Sequence, residues 1–206
     1  MVTSYEISKI NISSNIYYFL NICGVLFGTM LMGFLQLILC MNNQLCDVTF
    51  HYWDLCMDKC ERKRVILDRD NKDTYIIRYY LLHKDRLESS YFNIFLHKIV
   101  KSDDDDSLHD HPWSFFSIIL SGGYYESLFK RGETTNNIIG ETLTWRPVGY
   151  YSKNKATYCH KISLKNNTPC WTLFFAFKQT RPWGFWKKDG ENNYTWIESS
   201  EYFKID

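Results

Sequence analysis

Two textures divide this chain. Between positions 16 and 41 no charged residue interrupts the run IYYFLNICGVLFGTMLMGFLQLILCM. As a helix it would extend about 39 Å at roughly 1.5 Å per residue, against a hydrocarbon core of about 30 Å. Asn21, Thr29 and Gln36 lie inside the run, and uncharged polar residues cost far less there than charges do. Tyr17 and Tyr18 sit at one edge, where amphipathic rings prefer the headgroup boundary. From Asp73 onward the pattern changes to short β-branched and aromatic runs separated by Gly, Asn and Asp. That texture predicts strands over 74–82, 92–100, 113–120, 124–130, 141–145, 158–164, 171–177 and 195–197. Their spacing is that of an all-β sandwich or an antiparallel barrel of about eight strands.

The expected organisation is an amino-terminal tail (1–15), a single transmembrane helix (16–41), a linker or short helix (42–72) and a β-barrel domain (73–206). A cleaved signal peptide is the main rival for 16–41. It would have a shorter apolar core, a basic start and a small-residue cleavage site, and only Lys9 precedes this run. A buried helix is the third reading. A bilayer-anchored, single-pass protein is therefore expected. The first basic cluster after the span (Lys59, Arg62, Lys63, Arg64) favours the large domain on the cytosolic side. Sequons at Asn11, Asn166 and Asn193 fall on both sides and decide nothing. Gly24 and Gly28 form a GxxxG pair through which two copies could pack as a homo-oligomer, although chance spacing in an apolar run is the plainer account.

Composition agrees with a β-rich fold: 15 Tyr, 14 Phe and 7 Trp favour strand packing over a helical bundle. A net charge of +1 leaves no nucleic-acid footprint. No Rossmann-type glycine loop is present, so no nucleotide cofactor is expected. The acidic run Asp103 to Asp106 reads as a solvated loop, since consecutive carboxylates lack EF-hand spacing. Seven cysteines form neither a disulfide framework nor a Cys-x-x-Cys zinc pair, and reduced thiols are the simpler account. The abundance of Ile, Asn, Lys and Tyr fits an AT-rich coding genome, such as that of a large DNA virus or a protist.

The chemistry concentrates at His109-Asp110-His111-Pro112-Trp113, with His160 far downstream. Histidines two apart on one strand point to one side, so His109 and His111 should share a face with Phe115, Ser117 and Ile119. His160 should share its own with Tyr158, Ile162 and Leu164, and the adjacent Cys159 should face away. Three imidazoles converging in an apolar interior make a metal site with open positions. Gly122-Gly123 predicts a tight hairpin. In that hairpin Glu126 would oppose Ile119, about 26 Å along the strand from His111 at roughly 3.3 Å per residue. Ligation by Glu126 is then not expected, and it stays a carboxylate acting behind the ligands or on substrate. Arg146, Tyr158 and Arg181 are candidates for holding an anionic substrate, with ordinary packing the plainer reading. His97 reads as a structural or supporting residue; His51 and His83 read as surface residues.

These residues resemble a family. His109-x-His111, then Gly122-Gly123, then Pro147-Val148-Gly149 look like the two-part signature of the cupin superfamily. The stretches Phe95-Leu96-His97-Lys98, Ser102-Asp103, Leu108-His109-Asp110-His111-Pro112-Trp113, Ile119-Leu120-Ser121-Gly122-Gly123-Tyr124, Trp171-Thr172-Leu173-Phe174-Phe175 and Trp183-Gly184-Phe185-Trp186 resemble a group of uncharacterised cupin-like proteins of phages and bacteria. The resemblance covers about residues 75–200. It implies a jelly-roll barrel and a divalent metal on His109, His111 and His160, with Fe(II) favoured and Zn, Mn or Ni as alternatives. Two departures from the pattern stand out: Phe115 and Phe116 occupy the positions where a glutamate ligand is usual, and Ser152 the position where the second motif's histidine is usual. Three histidines without glutamate resemble the thiol dioxygenase branch, and also cupins that have lost metal. Two expectations follow: a membrane-anchored, dioxygenase-like metalloenzyme acting on a small molecule, or a non-enzymatic binding or structural module on the same tether.

Overall fold

A computed structural model describes residues 46–84, 91–103, 107–131, 138–189 and 193–204. The chain divides into two compact units, Met1–Lys59 and Cys60–Asp206. In the first, helix α1 covers Cys46–Lys59. No helix among the described residues is long and apolar enough to cross a membrane; the span expected over 16–41 lies outside them.

The second unit carries twelve strands among its described residues: β1 (Lys63–Leu67), β2 (Thr74–Tyr80), β3 (Phe92–Ile99), β4 (Leu108–His109), β5 (Trp113–Ser121), β6 (Gly123–Arg131), β7 (Ile138–Pro147), β8 (Tyr151–Asn154), β9 (His160–Leu164), β10 (Cys170–Gln179), β11 (Gly184–Asp189) and β12 (Asn193–Glu198). A short helix α2, Ser199–Tyr202, follows. They form two six-stranded sheets, ordered β1-β2-β3-β10-β5-β8 and β12-β11-β4-β9-β6-β7. Every pairing between them is antiparallel, an arrangement consistent with a cupin-type jelly roll.

All eight expected strands are present, the one placed over 158–164 starting at His160. Four were not expected. Residues 63–67, read as linker, form β1 and pair with β2. Strand β4 has two residues and β8 four, too short to register as a periodic pattern. Strand β11 begins at a glycine and ends in Lys-Lys-Asp, so its apolar part is brief.

Period-two alternation holds where it was expected. Phe115, Ser117 and Ile119 are buried along β5 while their neighbours are more exposed. The hairpin at Gly122-Gly123 is a correction. Strand β5 pairs with β10 and β8, whereas β6 pairs with β7 and β9 in the other sheet. The two glycines are thus a corner between sheets. Gly122 has φ 79° and Gly123 φ 141°, and a Cβ on Gly122 would stand 2.6 Å from the Pro169 carbonyl oxygen. Only glycine fits both constraints.

Between the sheets, Ile99, Ile119, Tyr124, Leu164 and Cys170 form one apolar cluster, joined by Ile162. Tyr80, Phe95 and Ala176 form another, joined by Trp113 and Phe174. The histidines touch both groups: His160 shares β9 with Ile162, and the His111 ring lies 6.5 Å from that of Phe174.

Candidate metal centre

His109 and His111 do not share a strand, contrary to the sequence expectation. His109 lies on β4, whereas His111 lies on the connection that crosses to β5 in the opposite sheet. Both rings still reach one place, because Asp110 pins the connection between them. Asp110 is almost fully buried and accepts from Arg181 Nη1 (2.6 Å), the Gly184 N–H (2.8 Å) and Trp196 Nε1 (3.0 Å). Its own N–H donates to the Gly184 carbonyl at 3.0 Å. A Cβ at Gly184 would collide with the Ile197 carbonyl, so this close approach requires glycine. Arg181, weighed above as an anion binder, is committed to Asp110.

His160 opens β9 and pairs directly with His109 on β4. The three ring centroids form a near-equilateral triangle: His109–His111 5.3 Å, His109–His160 5.0 Å and His111–His160 5.1 Å. One nitrogen from each lies within 4.8 Å of the others. His111 Nε2 and His160 Nε2 are 3.0 Å apart. Water retains access, since His109 and His111 are only partly buried.

Carboxylates stand behind two of the rings. Glu126 Oε1 accepts from His160 Nδ1 at 2.7 Å, while Glu126 Oε2 accepts from Arg146 Nε at 2.7 Å. Burial alone would raise the Glu126 carboxyl, but the hydrogen bonds and charges of His160 and Arg146 outweigh it and hold the group below its ordinary value. Tyr158 hydrogen-bonds to the same carboxylate, and burial followed by the Glu126 charge pushes its phenol upward. Its ring lies 5.3 Å from His160 and 6.2 Å from Phe115. Thus Glu126, Arg146 and Tyr158 form one network behind His160. The 26 Å separation expected for Glu126 fails because β6 belongs to the other sheet, where Glu126 pairs with Ile162, two residues from His160.

Asp103 belongs to the Ser102-Asp103 piece of the cupin-like stretch and to an acidic run read as a solvated loop. The structure gives it a role that the sequence reading did not assign. Its carboxylate accepts from the Ile162 N–H at 2.7 Å and from the Tyr75 hydroxyl. The same oxygen that accepts from Ile162 stands 3.5 Å from His109 Nδ1, longer than a normal hydrogen bond. Asp103 is therefore built into the wall, not solvated; Asp104 to Asp106 lie outside the described residues. The Ser102-Asp103 motif sets the first of the four aspartates apart, but its residue types alone do not assign it a place behind His109.

Burial, then the neighbouring His160 and His109, holds His111 well below the ordinary imidazole value, so its ring is neutral and keeps a lone pair. His97 is separate from the triad. It is buried on β3 and accepts from Arg78 Nε at 3.0 Å. Burial and the Arg78 charge hold it well below its ordinary value as well. His51 and His83 are exposed, as expected. Cys159 is raised by burial and by Asp110, a group on the far side of the β4 connection from the triad.

No family model matches the chain, and no curated protein does. Among solved structures it bears a distant similarity to iron(II) HppE (14% identity, TM-score 0.41, covering 57% of each chain). It is also distantly similar to hydroxypropylphosphonic acid epoxidase from S. wedmorenis (13%, 0.38, 57% of this chain and 56% of that one). A third is the polyketide cyclase RemF from Streptomyces resistomycificus (10%, 0.41, 57% and 75%). The chain spans 57% of the length of iron(II) HppE.

Proposed function

We propose that His109, His111 and His160 hold one divalent metal ion inside a cupin-like barrel, and that the protein is a dioxygenase-like enzyme acting on a small molecule. The observation that carries this reading is the convergence of three imidazole nitrogens within 4.8 Å, two of the rings backed by carboxylates. Histidine ligands commonly donate their second nitrogen to a carboxylate, which fixes the tautomer and raises ligand basicity. The donor set fits the group. Two nitrogens bound at about 2.1 Å and at right angles stand about 3.0 Å apart, which matches His111 Nε2 to His160 Nε2. Three neutral nitrogens suit Fe(II), Zn(II) or Ni(II) better than Mn(II), and the cupin resemblance favours iron.

Bound there, iron supplies open positions at which dioxygen and a small substrate can meet. The chain's own residues do the rest. Glu126 takes the His160 Nδ1 proton into its hydrogen bond and leaves Nε2 as the donor atom. Arg146 and Tyr158 hold Glu126 in place. Phe115, 4.6 Å from the His111 ring, and Phe174 stacked on it at 4.8 Å exclude water from the inner side. The apolar run 16–41 would tether this unit to a bilayer, with the barrel on the cytosolic side.

A second reading is supported by the same 3.0 Å contact, which is also the length of a hydrogen bond between two neutral rings. The triad could then be satisfied without metal, and the protein would be a tethered binding or structural module. Metal analysis of the full chain purified under reducing conditions separates the two. The enzyme reading expects near-stoichiometric iron that is lost in a His109→Ala/His111→Ala variant. Metal-free protein that cannot be loaded with Fe(II) removes it.

A further inference from the structure

The wall facing the triad has the opposite electrostatic character. In the register of the first sheet, Arg64 on β1 stands directly across from Arg78 on β2, and Arg78 directly across from His97 on β3. His97 in turn stands across from Thr172, and Thr172 from Ile119. Directly opposed residues share a face, and Ile119 and Thr172 are buried, so this row lies on the sheet's inner side. Exposure falls along it from Arg64, which is exposed, through the partly buried Arg78, to the buried His97.

Like charges directly opposite across a strand pair destabilise a sheet. Neither Arg64 nor Arg78 makes an ion pair with a carboxylate among the described residues. Arg78 is held by other means: its guanidinium lies 5.0 Å from the centre of the Phe95 ring, its Nε donates to His97, and it shares a hydrogen bond with Tyr80. Those contacts fix the side chain without neutralising it. Because His97 accepts through Nε2, its proton sits on Nδ1, a further donor. The guanidinium keeps donors in a planar fork that matches carboxylate or phosphate geometry. The triad lies close by, since the Phe174 ring is 5.2 Å from His97 and 6.5 Å from His111. His111 also feels the charge of Arg78.

We infer that Arg78 and Arg64, with His97, form a subsite for a small oxyanion-bearing ligand, a carboxylate or a phosphate-type group, beside the three-histidine centre. Resting on the metal reading above, this assigns the substrate class: a small acid whose charged end is held on the β1–β2–β3 wall while its other end reaches the imidazoles. The exposed Arg64 marks the side from which such an anion enters.

Calorimetric titration of the full chain with inorganic phosphate and, separately, with acetate at constant ionic strength tests the subsite. One oxyanion should bind per chain. Arg78→Met should weaken it about tenfold or more, as loss of hydrogen bonds to a charged group does. Arg64→Met should weaken it by a smaller factor. Lys98→Met, on the outer face over Trp171, should leave it unchanged. The acetate and phosphate arms distinguish a carboxylate ligand from a phosphate one. Melting curves without anion check that each variant folds, since Arg78→Met relieves the repulsion with Arg64 but also removes the donor to His97. If it does not fold, Arg78→Lys, which keeps charge but loses the fork, should still bind more weakly than wild type. Binding of neither anion by the wild-type chain, or equal loss in Arg78→Met and Lys98→Met, overturns the subsite. Metal content measured on the same samples separates the two readings. Arg78-dependent anion binding in a chain that takes up no metal keeps the subsite and removes the metal centre. Metal uptake with no anion binding does the reverse.

Discussion

His160 and His97 are nearly equal in burial, at 5% and 6% exposure, yet they stand in opposite chemical settings. His160 gives its Nδ1 proton to a carboxylate, which leaves Nε2 bare and turned toward two other imidazoles. His97 accepts from a guanidinium and thereby commits its lone pair, beside a positive charge. One wall turns imidazole nitrogens inward with a carboxylate behind them, whereas the other presents a guanidinium. Burial does not make a histidine a ligand; the partner of its second nitrogen does.

The difference can be broken most severely at Asp110, beneath the triad wall. Asp110→Ala would leave Arg181 and Trp196 Nε1 without their acceptor and release the turn that brings His109 and His111 together. Arg181 is 29% exposed and can rehydrate, so the loss should be about 1–3 kcal/mol, the cost of leaving buried donors unsatisfied, readable as a lowered urea midpoint. A midpoint within error of wild type would show that Asp110 does not anchor the turn. Next in size is Glu126→Gln. It keeps the shape but loses the charge behind His160, and metal affinity should fall about 10–100-fold while oxyanion binding on the other wall is unchanged. Competition with a chelator reads the first, and calorimetry the second; equal losses in both would mean that the walls do not act separately.

Asp103→Asn should have a smaller effect, at about the low end of that range, because its contact with His109 is longer than a hydrogen bond. The same chelator competition ranks it, and a loss exceeding that of Glu126→Gln would reverse the order of the two supports. The mildest test is pH. His97 stays neutral in the folded chain but takes a proton when unfolded near its ordinary value of 6.5. Below that pH the unfolded state binds more protons, so stability should fall as pH is lowered, by up to about 1.4 kcal/mol per pH unit for this group. His111, also held neutral, adds its own share. His97→Asn should remove one proton's part of the slope between pH 6.5 and about 5. An unchanged slope would mean that His97 is not kept neutral by folding.

Much of the triad wall could be read in the sequence. The HxH pair and His160 carry an unmistakable residue type, and on the facing sheet the Phe115-Ser117-Ile119 face follows from period-two alternation. What the sequence could not convey is which sheet a strand joins. Gly122-Gly123 signals a sharp reversal, but a hairpin and a corner between sheets make the same demand on φ. A β5–β6 hairpin sets Glu126 far along the strand from His111, whereas the second sheet pairs it with Ile162, two residues from His160. Asp103 stands in a quoted motif, but the three aspartates that follow it make the whole run read as a solvated loop. The Arg64-Arg78-His97 row was illegible for a different reason. Its members lie on three strands, and only the register of β1, β2 and β3 makes them neighbours. The run 16–41 is fully legible as a span, yet it lies outside the described residues, and a membrane fractionation of the full chain is its natural test.

Gripping of one cation by His109, His111 and His160 is what we propose. X-ray absorption at the iron edge, on the full chain reconstituted anaerobically with Fe(II), tests it most directly. The account predicts about three imidazole scatterers at roughly 2.1 Å, with the remaining ligands light oxygen or nitrogen atoms, and loss of one imidazole in His160→Ala. A spectrum with no imidazole scattering, or one that His160→Ala leaves unaltered, would contradict it.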